Sequence, residues 1–244
     1  MRIDGAVSLC ERSKFTYPGL LHRDYTADDL SAILARNRFD GAVAYACSGE
    51  PVAETDWLLS LPENCLLAVI APAAGTGPGE WDRWRANPRF AGVAAPPVAM
   101  AQELAARDLV CVTTPAHAVP LADAAPNLRM IVRAWPLGEG VSPEAWVRSV
   151  APLHPLPRML IQMDGILDAV AARPALRYLV ESFGPGRLAF GSNWPASMPE
   201  HTWKETLAGF TQALGAQPLP DRLRIVGESL QEFLRLPGEP HPLY

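Results

Sequence analysis

The sequence predicts an α/β fold, a single compact (β/α)8 barrel of the TIM type, and three observations support it. Short β-branched or apolar runs alternate with segments of helical periodicity along the whole chain. There are eight such runs, and βα units of roughly 25 residues each fill 244 residues with little left for insertions. No glycine-rich phosphate loop follows the first run, as an open doubly wound sheet would usually require. The expected strands are 1–9, 41–47, 65–71, 90–95, 109–113, 129–134, 158–163 and 187–191. Between them, Thr26 with Asp29 reads as a capping-box entry to a helix carrying Leu30, Ile33 and Leu34. Residues 54–61 present Trp57, Leu58 and Leu61 at helical spacing. Ser142-Pro143-Glu144 is a helix cap with proline in the first turn. Residues 175–183 and 223–236 are amphipathic. The stretch 72–79 is too short for a linker, so 1–236 reads as one domain and 237–244 as a frayed tail.

Composition narrows the function classes. The chain is 49% hydrophobic and 19% charged, with a net charge of −5, which gives ample core and argues against disorder. Its 21 basic and 26 acidic side chains form no long run of one sign, so nucleic acid is not an expected partner. No apolar stretch approaches the roughly 20 residues of a membrane span, and the first residues lack a signal-peptide core, so a soluble, cytoplasmic protein is expected. Cys10, Cys47, Cys65 and Cys111 are scattered without a CxxC and read as buried small hydrophobes. Only Lys14 and Lys204 are lysines; with abundant alanine and proline this fits a codon bias.

A barrel of this kind carries its chemistry at the C-terminal ends of its strands. Those ends offer Ser8, Glu11 and Arg12, then Tyr45 and Cys47, then Thr113, Thr114 and His117. The later strands supply Arg133 and Trp135, Gln162 and Asp164, and finally Ser192, Asn193 and Trp194, with His201 in the loop beyond. Strands three and four end in alanine and proline and contribute shape.

The string SFGPGRLAFGSNWP at 182–195 resembles the FGxxRLxFGSDWP segment of the amidohydrolase-related family, barrel enzymes that include lactonases and some decarboxylases. Residues 1–9 resemble that family's opening IDxHxH strand, and Tyr17-Pro18 with 25–30 its first loop and helix. Residues 126–132 resemble the lead into its sixth strand, 162–165 its KxSG, and 225–236 its closing helix. The resemblance implies a metal site, yet its histidine positions fall on Ala6 and Ser8, its Asp-His on Arg133 and Ala134, and its final aspartate on Asn193. None of these replacements supplies a comparable donor, and no two of the five histidines show HxH or HxxxH spacing, so no metal and no other cofactor is expected.

The expected function is therefore metal-independent hydrolysis of a small carbonyl compound, such as a lactone or ester, on an anionic or aromatic small molecule. Arg133, Asp164 and Asn193 are the candidate catalytic residues. Ser8, Tyr45, Thr113, His117, Trp135, Gln162, Ser192, Trp194 and His201 are the candidate substrate contacts. Arg133 suits an oxyanion or carboxylate. Asn193 has no proton-accepting nitrogen, so a base must come from Asp164, His117 or His201. Structural roles compete with these: Arg133 pairing with Asp164, Asp164 capping the following helix, the histidines on surface loops, and Tyr45, Trp135 and Trp194 packing at the core edge. A catalytically silent barrel serving as a binder or partner subunit, and a metal-free lyase or cyclase, are the alternatives; the oligomeric state is not assigned. On this view Arg133→Ala removes turnover and leaves stability nearly untouched.

Overall fold

The computed structural model describes residues 1–17, 23–62, 65–135, 142–166, 168–197 and 201–237. Eight strands form within a few residues of the expected runs: β1 (Ile3–Val7), β2 (Gly41–Tyr45), β3 (Leu66–Pro72), β4 (Phe90–Ala94), β5 (Val110–Thr113), β6 (Arg129–Trp135), β7 (Met159–Asp164) and β8 (Leu188–Gly191). They lie in sequence order, each parallel to the next. The first and last edges meet through a Val7–Trp194 bridge, with the Ser8 amide donating to the Trp194 carbonyl at 2.7 Å. Such strands are covered on both faces, which explains why they read as continuous apolar runs.

Strand alternation sorts the side chains into two layers. Val43 and Tyr45, Val110 and Val112, Ile131, Leu160 and Ala189 fill the barrel interior, whereas Ala42, Ala44, Cys111, Met130, Val132, Ile161 and Phe190 pack outward with the helices. The same alternation puts Arg133 on the inward face after Ile131, and Gln162 and Asp164 there after Leu160. Cys10, Cys65 and Cys111 are buried, Cys47 is half-buried, and all four are free.

Helix starts follow their capping chemistry. In α1 (Ala27–Arg36) the Thr26 hydroxyl accepts from the Asp29 amide and the Asp29 carboxylate accepts from the Thr26 amide. Proline occupies the first turn of α2 (Pro51–Ser60), α3 (Pro78–Trp84), α5 (Pro115–Ala124) and α6 (Pro143–Val150). The Ser142 hydroxyl caps α6 as expected. Helix α4 (Ala101–Ala106) fills the fourth unit, and α8 (Trp203–Leu214) opens with a Thr202–Glu205 capping box. Helix α7 (Ala169–Phe183) begins six residues before the expected start at 175, because Asp168 caps it and Pro174 is accommodated inside. The amphipathic stretch 223–236 is divided: after α9 (Leu219–Leu223) a π-helical turn at Arg224–Glu228 breaks at Gly227 before α10 (Ser229–Leu234). A side chain on Gly227 would collide with the backbone at Met1 and Ile3, where the chain enters β1. Leu230 and Leu234 of α10 join the interior cluster and close the end opposite the mouth. Residues 238–244, most of the expected tail, lie outside the described residues. No described helix is long and apolar enough to cross a membrane.

Candidate active site

Three late strands converge on one ion pair. The Arg133 Nε donates to Asp164 Oδ2 at 2.5 Å, and its Nη2 donates to Asn193 Oδ1 at 3.3 Å. The second Asp164 oxygen accepts from Gln162 Nε2 at 2.8 Å. The Tyr45 ring lies below the guanidinium, 5.3 Å from centroid to Cζ. Burial is the largest single influence and works against the Arg133 charge, but the Asp164 carboxylate and Tyr45 together outweigh it and raise the arginine pKa. Asp164 is 0% exposed, whereas the Arg133 side chain is 35% exposed. Its Nη1 makes no hydrogen bond to the described residues.

Arg133 borders a cavity of about 440 Å³ between the ends of β4, β5 and β6. Its walls are apolar: Ala94, Pro96, Pro97 and Val98 on one side and Val112 beneath. Ala95 adopts a left-handed backbone (φ 53°), which turns the chain after β4 and presents the two prolines. Thr113, Thr114 and His117 supply the polar rim opposite. The His117 Nδ1 and Thr114 Oγ1 lie 3.1 Å apart in hydrogen-bond contact.

The other expected site residues divide. Asp164 does not cap α7; Asp168 does, accepting from the Val170 and Ala171 amides. Asp164 is also buried between its two donors and is not among the residues that line the cavity. Trp194 is 1% exposed and packs edge-on against Tyr25, so it belongs to the core. Ser192 is likewise buried, its hydroxyl donating to Ala6 O and accepting from the Trp194 amide. Ser8 sits beside the Cys47 thiol, which burial pushes up to about 12, so neither forms a ready nucleophile. His201 lies near Glu205 at the start of α8 and does not line the cavity. Tyr45 is 7% exposed, and its hydroxyl and Gln162 Oε1 are buried without a hydrogen bond of normal geometry. The Trp135 side chain lies outside the described residues.

Sequence reasoning missed two buried carboxylates. Asp4 accepts from the Ser192 amide at 2.8 Å and from Trp203 Nε1 at 2.7 Å, tying β1 to β8 and α8 directly behind Asn193. Glu54 accepts from the Cys47 and Ser48 amides and fixes the turn after β2. For Asp4 the available signal was an acidic residue inside an otherwise apolar strand. Gly191 is also constrained, because a methyl there would overlap Asp164 Oδ1. Gly191→Ala is expected to displace that carboxylate and cost about 1–3 kcal/mol by overpacking. Urea unfolding checks this, and an unchanged midpoint would refute it.

Eight parallel strands with the polar groups gathered at one mouth define a barrel of the TIM type with a small-molecule cavity. The chain belongs to the amidohydrolase family, whose model matches residues 20–225. No curated protein matches it in sequence. Among solved structures, an amidohydrolase from Burkholderia multivorans with bound zinc is 19% identical, with a TM-score of 0.79 over 97% of this chain and 100% of that one. The amidohydrolase 2 of Bifidobacterium longum subsp. infantis is also 19% identical, with a TM-score of 0.78 over 97% and 99% of the two chains. A probable 2-pyrone-4,6-dicarboxylic acid hydrolase from Acinetobacter baumannii, with citric acid bound, is 14% identical, with a TM-score of 0.75 over 96% and 99%.

The residues here do not fit the divalent metal that the family resemblance implies. Ala6 presents a methyl group, Ala134 is buried among apolar side chains, and the Arg133 guanidinium is a cation held at the mouth by Asp164. A metal ion at that place would meet a like charge rather than a donor. Among the described residues no group of three or more His, Cys, Asp or Glu side chains is placed to hold a metal.

Proposed function

We propose that the chain is a metal-independent hydrolase of a small carbonyl compound, a lactone or related ester. The observation that carries this reading is the Arg133 guanidinium, fixed by Asp164 and bordering the cavity. A donor held in this way needs no reorganisation when negative charge develops on a carbonyl oxygen. His117 lines the same cavity and serves as the base. Its ring nitrogen takes a proton from water as the water oxygen adds to the carbonyl carbon. The carbonyl π electrons move to the oxygen facing Arg133. Collapse of that adduct expels the ring or ester oxygen, which recovers the proton from His117, and the product is a hydroxy acid or an acid with its alcohol. Asp164 and Asn193 act on the reaction through Arg133, and are positioning residues.

The test is turnover of a panel of lactones and aryl esters by protein dialysed against chelator and checked by elemental analysis. Hydrolysis is expected without stoichiometric zinc or manganese, and His117→Gln is expected to lower kcat roughly 10²-fold. Activity that appears only when metal is added back overturns the metal-free reading. Binding without turnover makes the barrel a small-molecule receptor instead.

A further inference from the structure

The charge balance of the cavity says what kind of carbonyl compound enters it. Arg133 is the only permanently cationic side chain among the described residues that line the cavity; His117 lines it too, and the proposed reaction uses it as a neutral base. Residues 18–22, 63–64, 136–141, 167, 198–200 and 238–244 contain no lysine or arginine that could add another. That single charge is already matched by Asp164, which is fully buried and 2.5 Å away. The remaining Nη1 donors can stabilise a partial charge. A full carboxylate would leave the pocket net negative, with only the neutral Thr113, Thr114 and His117 rim to donate to it beside proline, valine and alanine walls.

We propose that the cavity takes an uncharged lactone or ester with an apolar body, whose only anionic group is the one hydrolysis creates. This rests on the hydrolase reading and names its substrate class. It separates the chain from any polycarboxylate hydrolase on the same fold, because a second and third carboxylate would need cations that the described lining lacks. It also gives product release a driving force: the ester enters neutral, and its acid product leaves a site whose positive charge is already balanced.

Calorimetric titration of the full chain tests this with three non-hydrolysable ligands on one skeleton. They are a phenyl-substituted six-membered lactam, the same lactam with one ring carboxylate, and the same with two. The uncharged lactam is expected to bind tightest, with each carboxylate weakening affinity at least roughly tenfold. A carboxylated lactam that binds as tightly as the uncharged one, or failure of the uncharged one to bind, overturns the proposal. Asp164→Asn frees the arginine charge while keeping the side chain's shape, and is expected to improve the monocarboxylate roughly tenfold relative to the uncharged ligand. If that variant does not fold, the order of the three ligands on the native chain still decides. Binding in the expected order without hydrolysis of any lactone ends the hydrolase reading and leaves the selectivity standing. Preferential hydrolysis of a carboxylated lactone does the reverse.

Discussion

Arg133→Met is expected to lower kcat/KM for any ester substrate by roughly 10²–10³-fold, the usual loss when an oxyanion donor is removed. It is also expected to destabilise the fold by about 2–4 kcal/mol, contrary to the sequence expectation that stability would hardly change. The reason is the partner left behind. Asp164 is 0% exposed and would keep only the Gln162 amide as a donor, so a buried carboxylate would lose its counter-charge. The figure sits toward the lower side of buried-pair losses because Arg133 is itself 35% exposed. The double variant Arg133→Met with Asp164→Asn is expected to recover most of that stability, because no charge remains buried, and to recover none of the activity. Denaturant unfolding of the four proteins measures the coupling directly. Additive losses, or a double variant weaker than the single one, would show that the pair does not act as a unit.

The barrel was legible because each strand is sandwiched between interior and helices, so eight apolar runs stand out without alternation. Helix starts were legible where chemistry marks them, at Thr26 with Asp29 and at Ser142. Prolines misled where they sit inside a helix: Pro174 made α7 look shorter than it is. The break within 223–236 is set by a contact of Gly227 with β1, a long-range packing constraint that helical periodicity does not encode. For the site, strand-end position placed Arg133, Gln162, Asp164 and Asn193 together, since the inward face of each strand is fixed by the two-residue period. The same position could not tell Trp194 in the core from His117 at the cavity rim, because both follow a strand end and only the loop geometry separates them. The apolar character of the cavity was foreshadowed by the alanines and prolines after β4, which supply its walls.

Stability is expected to fall as pH rises through the range of Asp4. Burial pushes its pKa up from 3.8 to about 6, against the opposing hydrogen bonds from Ser192, Trp203 and Ala6. Between those values the native chain holds a proton that the unfolded chain has released, so the native state binds more protons and loses stability with increasing pH. The contribution is complete at the acid end, is lost by about pH 6 and is flat beyond, and a shift of this size corresponds to about 3 kcal/mol. Burial raises the Glu54 pKa as well, so that group slopes in the same direction and the Asp4 share must be isolated by substitution. Asp4→Asn removes this titration and flattens the profile. It also turns an amide N–H toward one of the donors the carboxylate now accepts from, at a cost of about 1–3 kcal/mol at the acid end. Urea unfolding of both proteins from about pH 4 to pH 7 distinguishes the two effects. Equal slopes in the native chain and the variant would sink the assignment. A shallower slope with a weaker acid end would mean that the carboxylate is kept for its geometry: it clamps Ser192 next to Asn193, and so holds the strand end that Arg133 leans on, even where its own ionisation opposes folding.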